Sequence, residues 1–199
     1  MTVHASIRAA ETPAPLNFLR PMEGRPVNYQ YDPPPGVPAQ TGIYDPHRVA
    51  LHDGRAETAR LSLDREGFAL IHAPSAMRDF DDAETIRTVY YPEVERLLRA
   101  ATGAELVINF DHNIRNAARA ERGEAGIRSP VGRTHNDFTA RSGPERVRRE
   151  LAARELDADA LLRQRFAIVN LWRPINRRVQ KSPLALCDAR TFTNDDLIA

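Results

Sequence analysis

Hydrophobic positions change their period along this chain. From about 82 to 102, Ile86, Val89, Tyr90, Val94, Leu97, Leu98 and Ala101 recur at steps of three and four, which places them on one helix face. Asp79, Asp81 and Asp82 put acids at its start, Glu95 and Arg99 form an i,i+4 pair, and Gly103 stands where a helix stops. Pro92 predicts a break or kink inside this stretch. The period then shortens to two: in Glu105–His112 the residues Leu106, Ile108, Phe110 and His112 share one face of a strand. Short apolar runs at Gly67–His72 and Phe166–Arg173 read as buried strands, and Pro183–Asp188 as another. Ser129–Ala140 reads as a strand approached through Pro130 and Gly132. Residues 143–165 are helical and strongly charged, with a break near Asp157.

The rest is turns and prolines. His47–Leu51 and Ala59–Leu63 flank Asp53-Gly54, a hairpin signal. Residues 114–130 read as a long loop. Residues 16–46 form a proline-rich extended arm with interleaved aromatics, a pattern suited to packing across a domain surface, with an edge strand at Val27–Tyr31. Residues 1–15 read as a disordered tail, and 16–199 as a single domain. The sum is an α+β or mainly β, barrel-like fold with flanking helices. No GxGxxG, Walker loop or GxSxG occurs, so nucleotide-fold and serine-hydrolase readings lose their usual support.

Composition narrows the class. The chain has 199 residues, 42% hydrophobic and 28% charged, the balance of a soluble globular protein. Lys plus Arg is 28 against 27 for Asp plus Glu, so no basic surplus points to nucleic acid. No apolar run approaches the roughly 18 residues of a membrane span. The start lacks a signal-peptide core, so a cytoplasmic location is expected. One cysteine, Cys187, excludes an internal disulfide and a cysteine-based zinc cage. Its apolar run marks it as a small buried hydrophobe.

Candidate chemistry gathers at Gly132-Arg133-Thr134-His135-Asn136-Asp137-Phe138-Thr139. On a strand His135 and Asp137 point the same way. An imidazole nitrogen and a carboxylate oxygen so placed are two thirds of the 2-His-1-carboxylate set that holds Fe(II) with open positions. The spacing alone also fits a structural His–Asp pair. A charge relay would need a Ser or Cys in an activating turn, and none is recognisable. Four further residues are pocket candidates. Arg133 could line the mouth of the site or be solvated at a strand end. His112 could form part of a substrate wall or sit in the core, and so could Trp172. Arg173 could meet an acid in the pocket or form an exposed ion pair.

Seven segments in order carry a resemblance: Asp64-Arg65-Glu66-Gly67-Phe68, Tyr90-Tyr91-Pro92-Glu93-Val94-Glu95, Thr102-Gly103-Ala104, Phe110-Asp111-His112-Asn113-Ile114-Arg115, Val131-Gly132-Arg133-Thr134-His135-Asn136-Asp137, Ile168-Val169-Asn170-Leu171-Trp172-Arg173-Pro174 and Pro183-Leu184-Ala185-Leu186-Cys187-Asp188. Together they resemble the CmcJ/NvfI-like family, which includes AsaB-like hydroxylase/desaturases and gibberellin desaturase-like proteins. The resemblance implies a non-haem Fe(II)- and 2-oxoglutarate-dependent oxygenase on a double-stranded β-helix, a jelly-roll barrel. It implies hydroxylation or desaturation of a small secondary metabolite, with His135 and Asp137 as the first two iron ligands. The family's distal His, and the cation that meets 2-oxoglutarate, belong further downstream, and no histidine follows Asp137 here. The expectation is therefore an incomplete barrel without its C-terminal part, inactive or incomplete as it stands, with exposed edges open to self-association. Two rival readings are a methyltransferase-associated accessory protein of a methoxylation step and a non-catalytic interaction module.

Overall fold

The computed structural model describes residues 11–29, 32–175 and 178–197. These fall into two compact units. One draws on Met1–His72, Val131–His135 and Leu184–Ala199, the other on Ala73–Pro130 and Asn136–Pro183. One boundary between the units passes between His135 and Asn136.

In the first unit β1 (Glu11–Leu19) pairs antiparallel with β2 (Tyr44–His52), in a register running from Glu11↔His52 to Leu19↔Tyr44. Pro13, Pro15 and Pro46 are tolerated because each strand of a two-stranded ribbon is an edge. Pro13 and Pro15 are two apart, so both missing N–H groups fall on the same side of β1. Glu11–Pro15 therefore belong to a strand rather than to a tail; the remainder of that tail lies outside the described residues. The hairpin expected around Asp53-Gly54 does not form. The turn is present (the Ala56 N–H donates to the Asp53 carbonyl, 3.0 Å), but β2 is already paired to β1 and the chain goes into a 3-10 turn at Thr58–Arg60. The edge strand at Val27–Tyr31 reduces to a bridge between Asn28 and Gln40, and Gln30 and Tyr31 lie outside the described residues.

A buried carboxylate ties this unit together. Glu66 is 2% exposed and accepts from the Ser62 N–H and the Arg65 Nε, with Arg190 Nη1 at 3.3 Å. Burial opposes its charge, but those donors outweigh burial and hold the carboxyl below its ordinary range. The Glu66 carbonyl accepts from the Ala189 N–H at 2.9 Å. Gly67 follows with φ +82°, and a Cβ there would stand 3.2 Å from the Ala189 Cβ. Both facts favour glycine.

The second unit holds the helices. Asp82 caps α1 (Ala83–Thr85) by accepting from the Glu84 N–H. A π-type turn (Ile86–Tyr90) follows and runs straight into α2 (Tyr91–Thr102). The break expected at Pro92 is absent. The Tyr91 N–H reaches back five residues to Ile86, and Pro92 enters α2 in its first turn, where a missing donor is harmless. Gly103, at φ 71°, ends α2 in the left-handed conformation and donates to the Arg99 carbonyl. The long loop expected at 114–130 is instead β3 (Ile114–Arg115) parallel to β4 (Ile127–Arg128), bracketing α3 (Ala117–Glu121). Short polar elements of this size carry too little periodicity to be seen. α4 (Ser142–Ala152) and α5 (Ala158–Leu162) are separated as expected, and Asp157 caps α5 by accepting from the Ala160 N–H at 2.9 Å. Met77, Ile86, Val94 and Leu151 form the buried apolar core of this unit.

The expected strands at Gly67–His72, Glu105–His112, Ser129–Ala140, Phe166–Arg173 and Pro183–Asp188 have no ladder partner among the described residues. Their apolar side chains remain open to solvent: Leu106 is 46% exposed, Trp172 43%, and Leu70, Val169 and Leu186 are exposed as well. Trp172 is therefore not a core residue, and Cys187 is exposed rather than buried. A strand becomes one only by pairing, and among the described residues these runs are not joined into a ladder. No barrel is present among the described residues.

Candidate functional site

The motif segment is docked onto the free edge of β1. Asn17 faces outward from its pair with Pro46. Its carbonyl accepts from the Thr134 N–H at 2.9 Å and from the Thr134 hydroxyl at 3.0 Å, and its side-chain amide donates to the Gly132 carbonyl at 2.6 Å. The Arg133 guanidinium lies over the Tyr44 ring, 5.7 Å from its centroid. Arg133 is thereby turned onto β2 as a packing cation. The proline-rich arm thus supports the backbone that leads into His135.

His135 Nδ1 stands 3.0 Å from the Arg133 carbonyl oxygen. A carbonyl only accepts, so the proton is on Nδ1, and in the neutral ring the lone pair is on Nε2. A backbone carbonyl on the far nitrogen is the usual way a metal-binding imidazole is oriented. Asp137, in the second unit, has its Oδ2 3.5 Å from the Asn170 side-chain amide, a long contact. Asn170 was one of the residues of the apolar run 166–173, and nothing in its neighbours' pattern marked it as a partner of Asp137. The donor set, one imidazole nitrogen and one carboxylate, suits two of the positions on a ferrous ion. Among the described residues no three His, Cys, Asp or Glu side chains gather to hold a metal ion.

The other pocket candidates separate. His112 is not on a strand face. It is exposed, its Nδ1 lies 2.8 Å from the Tyr91 hydroxyl, and the two rings meet edge to face. Burial, with the nearby Asp111 charge, pushes the Tyr91 phenol up. Together with Phe80, Ile86, Asp81 and Arg119, His112 lines a concavity of about 340 Å³. Arg119 is bonded there to both Glu124 and Asp81, which raise its pKa. Arg173 lines a different concavity of about 200 Å³, beside α2. Trp172, next to it in sequence, lines neither.

A protein-family comparison finds a match over residues 16–199, to the family described as YDMC: Oxidoreductase/YMDC permease-like domain. The chain belongs to this oxidoreductase family. Among curated proteins, Oxidoreductase AN1597 of Emericella nidulans is 34% identical over 158 residues, covering 76% of this chain and 52% of its own length. The alpha-ketoglutarate-dependent dioxygenase tstK of Talaromyces stipitatus is 32% identical over 156 residues, covering 75% and 55%. The Fe(II)/2-oxoglutarate-dependent dioxygenase nvfI of Aspergillus novofumigatus is 30% identical over 188 residues, covering 90% and 65%. The chain spans about half the length of the first two of these relatives. A solved structure of the iron and alpha-ketoglutarate-dependent endoperoxidase NvfI matches with a TM-score of 0.61 at 24% identity, over 77% of this chain and 55% of that one. That likeness is one of fold. The family members named here are thus oxidoreductases and Fe(II)/2-oxoglutarate-dependent dioxygenases, as the resemblance in the sequence implied.

Proposed function

We propose that this chain carries the first two iron ligands, His135 and Asp137, of a non-haem Fe(II)- and 2-oxoglutarate-dependent oxygenase acting on a small secondary metabolite by hydroxylation or desaturation. The observation that carries the reading is the His-x-Asp motif. It lies inside the family match, and its His135 is bonded to the Arg133 carbonyl. When bound, iron and 2-oxoglutarate supply dioxygen activation and removal of hydrogen from a substrate carbon. The chain's own residues position and protonate. The Arg133 carbonyl keeps the proton on His135 Nδ1. The Asn170 side-chain amide faces the Asp137 carboxylate at 3.5 Å. The names of the relatives favour this reading over the methyltransferase-accessory one.

The test is anaerobic Fe(II) titration of the purified chain, followed by calorimetry. His135→Ala and Asp137→Ala should each weaken iron binding by about tenfold or more, since losing even an outer-shell partner of a metal ligand costs about that much. Equal iron binding by the original chain and both variants would overturn the assignment.

A further inference from the structure

The concavity of about 200 Å³ beside α2 is lined by Ala73, Pro74, Glu93, Val94, Leu97, Arg96 and Arg173. All belong to the second unit. Arg173 enters it under restraint. One Nη2–H donates to the Ala73 carbonyl at 3.0 Å, and the guanidinium lies over the Tyr90 ring at 5.1 Å. Its Nε–H is buried and has no hydrogen-bond partner among the described residues. An unpaired buried donor of this kind costs free energy unless something accepts from it, and being closed to solvent it can be met only by a neighbouring group of the chain. Glu93 is not that acceptor. Its two oxygens take the Ser75 hydroxyl and the Ala76 N–H. Burial works against the Glu93 charge, but these donors and the Arg173 and Arg96 charges hold its carboxyl below the ordinary range.

The lining therefore carries two cations and one satisfied anion, a surplus of one positive charge. Arg guanidinium is a planar fork suited to a carboxylate, and the Ala73 carbonyl and the Tyr90 ring fix that of Arg173 at the lining. The remaining walls, Pro74, Val94 and Leu97, are apolar. The volume equals about seven waters at roughly 30 Å³ each. We propose that this concavity binds the carboxylate end of a short aliphatic acid, with Arg173 as the anchoring fork, Arg96 as the second cation at the mouth, and the hydrocarbon against Val94 and Leu97. A doubly charged phosphate is disfavoured because Glu93 already lies in the lining and repels a second negative charge. The site needs neither iron nor His135, so it stands or falls separately from the oxygenase reading.

The experiment is chelator-treated protein titrated with sodium butyrate, with neutral butanamide and with inorganic phosphate, followed by backbone chemical shifts and calorimetry. Butyrate should shift amides at 73–76 and 93–97 and should bind at least about tenfold more tightly than butanamide. Arg173→Gln should weaken butyrate about tenfold and Arg96→Gln about threefold, whereas Arg148→Gln, on α4 and ion-paired to Asp159, should leave it unchanged. Arg96 is exposed, so its variant decides the matter if Arg173→Gln does not fold. Equal binding of butyrate and butanamide, butyrate binding untouched in both variants, or phosphate binding more tightly than butyrate would each overturn the proposal.

Discussion

Residues 83–102 and residues 166–173 make an instructive pair. Both show strong apolar patterns. In the first, the pattern became structure: a helical run with Ile86 and Val94 buried. In the second, Phe166, Val169 and Trp172 remain exposed and no strand forms. The helix satisfies its backbone within itself, and its caps (Asp82 at one end, Gly103 at the other) are local residues. An extended run has no internal hydrogen bonds and waits for a neighbour. The run 105–112 shows the intermediate case. It finds side chains instead of a ladder: Arg146 covers Phe110 at 4.5 Å, Arg154 donates to the Asn109 carbonyl, and Asn109 donates to Tyr91.

The contrast breaks most sharply on one chemistry at two places. Leu151→Ala removes a side chain that is 3% exposed and should destabilise the second unit by about 2–4 kcal/mol in urea unfolding. Leu106→Ala, in the unpaired run of the same unit, should change stability by no more than about 0.5 kcal/mol. A large effect at Leu106 would mean that the extended run has partners in solution, and the contrast would fail. Between these extremes, Gly103→Ala forces a Cβ into a left-handed residue and should cost about 1–2 kcal/mol by the same measurement. Asp157→Ala removes the cap of α5 and should cost about 1 kcal/mol, seen as faster amide exchange at Asp159–Leu161.

The smallest effect concerns the first unit and acid. The Arg190 side chain, with the Arg190 N–H, lowers the Asp188 carboxyl to about 2. A carboxyl depressed in the folded state adds stability above its unfolded value of about 3.9, and that stability is lost as pH falls toward about 2. Glu66, also lowered, acts in the same direction. The unfolding midpoint should therefore drop between about pH 5 and pH 2. Asp188→Asn should flatten that slope and leave the midpoint's remaining acid dependence to groups such as Glu66. An unchanged slope would show that the Asp188–Arg190 contact is absent in solution.

Much of this was legible beforehand. The 3.6-residue period found the long helical run, Asp157 marked the break between α4 and α5, and the ordered motifs found the family. Pro92 misled because a proline's effect depends on its place in a turn, and the π-type turn before it moved that place. The tail at 11–15 misled because prolines on the outer side of a ribbon cost it no ladder bond. Within the candidate site, His135 and Asp137 were visible as residue types at a spacing. Asn17, 115 residues from Gly132, was not, because its role exists only through the register of β1 on β2.

The sequence by itself determined which residues can be helical, where those helices start and stop, and which two side chains are the candidates for a metal ligand. All of these depend on neighbours within a few positions along the chain. Only the tertiary structure decided which extended runs pair, which apolar side chains are covered, and which nitrogen of His135 keeps its lone pair. The first two depend on groups far away in sequence; the third depends on the Arg133 carbonyl two residues away, and so on how the backbone is folded there. The physical reason is that a helix closes its hydrogen bonds on itself, whereas a strand and a buried side chain each need a partner brought from elsewhere.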